Sequence, residues 1–245
     1  MHRFAEASRL LLQPAPLTAH STMNGTYYSP DRLDQRDLYV GGQQTTAPKT
    51  SPYGDTDRWD LLWLGHCGAR FPLPEGAPPP QARAVILDDE TVPERQHIDA
   101  QFGDDVLSRE YPDHTRIVSR THDNVCTSAY AITLMAARRY LYELALYRFN
   151  KAVDLSINDL CDGRDGRPMQ RCLTVHPQLF QHHRPIARKT SFSDIGDLLG
   201  AGYSSQAFTR NIRWATRVNF RPLVYGETTY VDLFRDGEQM PDLHT

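Results

Sequence analysis

The 245-residue chain has no long apolar run, little excess charge of either sign and only four cysteines. No stretch approaches the ~18 consecutive apolar residues of a membrane-spanning helix. Near the start only Leu10–Leu12 runs unbroken, against the ~7–15 residues of a signal-peptide core. Nothing in the sequence therefore directs the chain to a membrane or to secretion. Lys and Arg number 27 against 30 for Asp and Glu, a net charge of −3. With a pI near 6.4 there is no basic field for a phosphate backbone, so nucleic acid is not an expected partner. Cys67, Cys126, Cys161 and Cys172 are too few for a disulfide scaffold, and they form no C-x-x-C pair, which argues against a zinc ribbon. Cys161 and Cys172 bracket a Gly- and Arg-rich loop. They either close it as a disulfide in an oxidising compartment or sit as small buried hydrophobes. There is no G-x-G-x-x-G, Walker loop, H-E-x-x-H or G-x-S-x-G, so phosphate grip by a glycine loop and serine hydrolysis lack their signatures. No internal repeat is visible.

What is present is ordinary for a globular domain: 40% hydrophobic and 23% charged residues. Residues 1–56 are expected to be poorly structured. A short helix near Phe4–Leu12 runs into Pro14 and Pro16, and "GGQQTTAPKTSPYGD" cannot bury much apolar area. A second break is the proline-rich "FPLPEGAPPPQAR" that starts at Phe71. Asn24-Gly25-Thr26 has the form of a glycosylation acceptor, a triplet common by chance. Strands are expected at 60–65, 82–87, 115–120 and 172–176, the last stopped by Pro177. One long helix is expected over Ser128–Phe149, because Tyr130, Leu134, Ala137, Leu141 and Leu144 recur at steps of 4 and 3. Thr127 or Ser128 would cap it, and Arg138 and Arg139 would face water. Alternating strand and helix favour an α/β class.

Residues able to carry chemistry cluster around these elements. "DRWDLLWLGHCG" (57–68) ends an apolar run in Gly65, His66, Cys67 and Gly68. That is either a polar turn or a strand reaching the crevice where α/β sheets bind ligands. His176, His182 and His183 lie close together and either ligate a metal or serve as hydrogen-bonded loop histidines, since their spacing matches no standard ligand frame. Asp154, Asp159, Asp162 and Asp165 follow the long helix. An acid there can act as general base or hold a divalent cation, or it can cap a helix or turn. Ser193-Asp194 is either a helix start before Leu198-Leu199 or a polar wall of a site, and Asp88–Glu90 either suits a metal or is only a turn.

Several pieces occur in one order: "WDLLWLGHCG" (59–68), "RIVSRTHDNVCTSAYAITLMAARRYLYELAL" (116–146), "VDLSINDLC" (153–161), and "CLTVHPQLFQHHRP" with "SDI" (172–195). This ordered set resembles glycosyltransferase family 25, in particular its fungal branch, related to the lipooligosaccharide and collagen galactosyltransferases. The resemblance implies a GT-A-like α/β fold, a Rossmann-type sheet with flanking helices. It also implies transfer of a hexose, commonly galactose, from a UDP-sugar to a saccharide or glycoprotein acceptor. A divalent cation, Mn²⁺ or Mg²⁺, would neutralise the diphosphate leaving group, and the family setting is the secretory pathway or Golgi. On this resemblance Asp154 is the expected acceptor base, and His66, Tyr130, His176, His183 and Asp194 are expected to touch substrate, while the metal ligands are not identifiable.

The sequence departs from the family pattern in two places. The acidic metal-binding motif and the strand–helix units that hold the nucleotide belong upstream of the WDLLWLG-like strand, and nothing in residues 1–50 reads as either. Residues 57–245 are therefore expected to form a partial GT-A-like domain that is incomplete at its N-terminus. Met135-Ala136-Ala137-Arg138 also stands where the family favours Gly-Ala-Arg, adding a methyl at a close backbone contact. Two other readings stand beside transfer. One is a non-catalytic carbohydrate-binding or interaction module of the same fold. The other is a metal-dependent hydrolase built on His176, His182, His183 and Asp194.

Overall fold

A computed structural model of the chain describes residues 2–12, 37–41, 45–72, 82–100, 105–148, 150–186 and 205–239. Four strands form where the sequence places them: β2 (Leu61–Gly65), β3 (Arg83–Ile86), β4 (Arg116–Arg120) and β6 (Cys172–His176). Two short edge strands, β1 (Asp37–Tyr39) and β5 (Ala129–Ile132), complete a six-stranded mixed sheet in the order β1-β3-β4-β6-β2-β5. β1 runs parallel to β3 and β6 parallel to β2, while β4 and β5 run antiparallel to their neighbours. The carboxyl ends of β1, β3, β6 and β2 therefore share one edge of the sheet. Leu61, Leu62 and Trp63 are fully buried, as a strand covered on both faces requires.

Helices cover both faces, so the class is α/β. On one face α1 (His2–Leu12) packs Phe4, Ala7 and Leu10 against Trp59, Leu62, Ile86, Val118 and Val175. Arg3 Nη1 ties its start to the end of β3, donating to the carbonyls of Leu87 (2.7 Å) and Asp88 (3.0 Å). The segment 1–56 thus supplies both a core helix and an edge strand. The helix agrees with the sequence reading. The strand does not, because three residues carry too short an alternation to register.

On the other face lie α3 (Leu134–Tyr140), the π-helical turn Leu141–Tyr147 that continues it, and α4 (Val153–Asp162). They bury Ala136, Tyr140, Leu144, Ile157 and Leu160 against Leu61, Trp63 and Cys172. The single helix expected from Ser128 does not form. Ala129–Ile132 instead pairs antiparallel with β2, Tyr130 opposite Trp63. The helix starts after Thr133, whose hydroxyl accepts from the Ala136 N–H (3.2 Å). The cap is thus Thr133 rather than Thr127 or Ser128. Local periodicity at steps of 4 and 3 cannot register that the edge of β2 offers these four residues hydrogen bonds. The buried stripe shifts accordingly to Ala136, Tyr140 and Leu144, leaving Leu134 and Leu141 exposed.

A smaller cluster of Phe71, Val85, Leu107, Tyr111 and Ile117 fills the same face over β3 and β4, with α2 (Val106–Glu110) contributing Leu107. The C-terminal segment forms β8 (Phe208–Thr209), which pairs with β7 (His183–Arg184), and α5 (Phe220–Tyr225). It docks through Arg213 N to the Thr91 carbonyl and through Phe234, whose ring lies 5.5 Å from that of His97.

Candidate functional site at the carboxyl edge of the sheet

The Gly-His-Cys-Gly stretch leaves β2 at the shared carboxyl edge. Gly65 sits where a Cβ would lie 2.7 Å from the Phe180 carbonyl oxygen and 2.9 Å from the Ala129 nitrogen. Backbone closes on it from two sides, which only glycine tolerates. His66 then turns inward, 1% exposed, and its Nε2–H donates to the Val175 carbonyl (3.0 Å). With a carbonyl as its partner, Nε2 must carry the hydrogen. Cys67 and Cys126 form a disulfide, as do Cys161 and Cys172. All four cysteines are paired. The first pair was not singled out from the sequence, because its 59-residue separation hides the contact. The open alternative at Cys161 and Cys172 resolves to the disulfide.

His176 ends β6 beside His66, with ring centroids 5.5 Å apart, and Phe71 covers it at 4.3 Å. Burial, helped by His66 and Arg83, drives the His176 pKa well below the usual imidazole range, so the ring is neutral. Its Nε2 is buried and has no hydrogen-bond partner among the described residues, and the same holds for Nε2 of Gln178, 1% exposed. Both side chains line one half-open cleft with His66, Phe71, Asn211 and Asp99. Gln178 Oε1 accepts weakly from Asn211 Nδ2 (3.5 Å), and Asn211 Oδ1 accepts from the Asp99 N–H (2.9 Å).

One wall is held by a buried ion pair. Arg116, at the start of β4, donates to Asp89 Oδ2 (2.6 Å), the Pro177 carbonyl (2.6 Å) and Thr91 Oγ1 (2.8 Å). Asp89 is thus an anchor for the loop that carries Gln178. Of the two readings of Asp88–Glu90, the turn is the one the structure takes at Asp89.

The remaining sequence candidates are dispersed. Asp154 lies in the first turn of α4 and accepts from the Cys126 N–H (2.9 Å). Through the Cys67–Cys126 disulfide it is tied to the residue next to His66. Tyr130 is 44% exposed on edge strand β5. His183 belongs to the separate β7–β8 pair, where its Nδ1 faces Thr209 Oγ1 (3.5 Å), and burial followed by the Arg217 charge lowers its pKa. Asp194 lies outside the described residues, as do Ser193 and Asn24. Asp159 is buried among Lys151, Arg164 and Arg167 and does not cap a helix.

Two groups of potential metal ligands occur among the described residues, Glu94 with His114 and Asp236, and His122 with Asp123 and Asp162. Neither includes His176, His182 or His183, so the histidine-cluster reading finds no support there. Neither suits a divalent cation, because a guanidinium already occupies each: Arg213 lies 3.1 Å from Asp236, and Arg164 pairs with Asp123 and Asp162. No described helix is long and apolar enough to cross a membrane.

Phe71, Gln178 and Asn211 were not singled out from the sequence. Gln178 had a weak signal as the polar residue after a strand and its proline. Asn211 had none, since the C-terminal segment reaches the cleft only in three dimensions. Comparison with protein-family models, with curated proteins and with solved structures finds no match for this chain.

Proposed function

We propose that the chain is a saccharide-binding α/β domain related to family 25 glycosyltransferases, with the cleft beside His176 as its sugar site. Three things support this reading: the ordered sequence resemblance, the position of the cleft at the carboxyl edge of parallel strands, and the chemistry of its lining. The observation that carries it is the pair of buried, unpartnered atoms Nε2 of His176 and Nε2 of Gln178 in one cleft. A buried polar group without a partner costs about 1–3 kcal/mol. A ligand rich in hydroxyls, each both donor and acceptor, relieves both atoms at once. The neutral His176 ring suits an uncharged hydroxyl better than a phosphate, and Phe71 offers an apolar wall.

Hexosyl transfer from a UDP-sugar is the reaction the resemblance implies. In it the acceptor oxygen bonds to the sugar C1, the bond from C1 to the diphosphate breaks, and the acceptor proton passes to a base. Asp154 is the carboxylate proposed for that base. The described residues do not fit the divalent cation that such a donor needs, so no step is routed through one. That misfit favours the second reading, binding without transfer.

Isothermal titration of the purified chain with UDP-galactose, with and without Mn²⁺, and with galactose alone separates the readings. Manganese-dependent binding of the nucleotide sugar supports the transferase. Binding of the saccharide alone, weakened about tenfold in Gln178→Ala, supports the module. Absence of any heat from a cooperatively folded sample refutes both.

A further inference from the structure

The helix built from α3 and its π-helical continuation is apolar on both sides. Its inner side, Ala136, Tyr140 and Leu144, is buried in the core. Its outer side carries Leu134, Met135, Leu141, Tyr142, Leu146 and Tyr147, with exposures of 54–75%. A surface helix normally turns a polar face to water, and an exposed apolar patch of this kind marks an interaction site. The charges on this face are of one sign. Arg138 and Arg148 are exposed, and the Arg148 guanidinium lies 5.3 Å from the Tyr147 ring; Arg139 is held inward by Gln170 and Asp60. Glu143, the one carboxylate between Leu134 and Arg148, is turned away, 22% exposed and 3.6 Å from Arg167.

We propose that the outer face of residues 134–148 lies against an anionic lipid surface, with its leucines and tyrosines at the headgroup boundary and its arginines on the phosphates. Apolar residues mixed with arginine, without acids, are the composition of a helix lying in a bilayer interface. Tyrosine and arginine are also the side chains that populate the headgroup level. Beyond the arginines, the polar atoms of this face are the hydroxyls of Tyr142 and Tyr147, which the headgroup level accommodates. The chain thus lies on a bilayer without spanning it, and this contact does not depend on the cleft.

The test is co-sedimentation of the full chain with vesicles of phosphatidylcholine, alone or with added phosphatidylserine. The expected result is binding that needs the anionic lipid and weakens with salt. It should fall about fivefold for each of Arg138→Gln and Arg148→Gln, and by more than tenfold in the double variant Leu141→Glu/Leu146→Glu. Both leucines are exposed, so the double variant should keep the parent's thermal midpoint, which circular dichroism checks. Failure to bind anionic vesicles overturns the proposal, as does binding that the double variant leaves unchanged. A concentration-dependent dimer abolished by the same variant, without vesicle binding, assigns the face to a second copy and also overturns it.

Discussion

Replacing Asp89 by Asn tests whether a buried ion pair shapes the cleft. The Asp89 carboxylate accepts from Arg116 Nε through Oδ2, and from the Thr91 N–H and hydroxyl through Oδ1 (3.1 and 2.6 Å). An asparagine that keeps its oxygen toward Thr91 must aim its NH₂ at the Arg116 N–H, donor against donor. The charge left behind is on a side chain only 3% exposed. Removing one partner of a buried pair costs about 3–5 kcal/mol, and the 15% exposure of the Asp89 side chain points to the lower end. For a chain of this size that corresponds to a fall of roughly 6–12 °C in thermal midpoint at neutral pH. Asp89→Leu with Arg116→Met removes both charges and should recover most of the loss.

Burial resists ionisation of Asp89, but the Arg116 charge and the Thr91 hydrogen bonds outweigh it and hold the pKa below the usual value. A depressed carboxylate contributes stability that is present above its unfolded pKa near 3.8 and is lost as pH falls through the folded one. Asp89→Asn should therefore flatten the acid limb of a stability profile measured by calorimetry. An Asn variant that melts within about 2 °C of the parent would refute the reasoning.

Gly65→Ala places a methyl against the Phe180 carbonyl and the Ala129 nitrogen. It should cost about 1–3 kcal/mol, read as a midpoint lowered by several degrees, and should weaken ligand binding in the cleft. Cys67→Ala/Cys126→Ala opens a loop of 59 residues and should cost about 4 kcal/mol by chain entropy, against about 3 kcal/mol for Cys161→Ala/Cys172→Ala with its separation of 11. Denaturant melts of the two double variants check that order. His176 is held neutral by burial, so below pH 6.5 only the unfolded chain takes up its proton, and stability falls by about 1.4 kcal/mol per pH unit. His176→Phe should flatten that fall. His122 has the opposite sign. Its pKa is raised, first by its bond to Asp162, so its stabilisation is present below the usual histidine pKa and fades as pH rises through the folded one. His122→Ala should remove the fading, visible in midpoints measured between about pH 6 and 8.

Four central strands and the α/β class were legible in the sequence, because a strand buried on both faces must be a short, continuous apolar run whatever lies beside it. Leu61–Leu64 and "CLTVH" are such runs. The polar ends of these runs, His66 and His176, already marked the edge where the cleft lies. The short edge strands were not legible. Ala129–Ile132 reads as helix and becomes strand, because the free edge of β2 satisfies its backbone, and that partner lies more than 60 residues earlier in the chain. Nor could the sequence show that Cys67 meets Cys126, that Asp89 is committed to Arg116, or that Asn211 and Gln178 stand in one cleft with His176. Local pattern depends on neighbours three or four residues away and so determined the core segments. Burial, tautomer, ion pairing and the shape of a site depend on atoms from distant segments, and only the tertiary structure decided those.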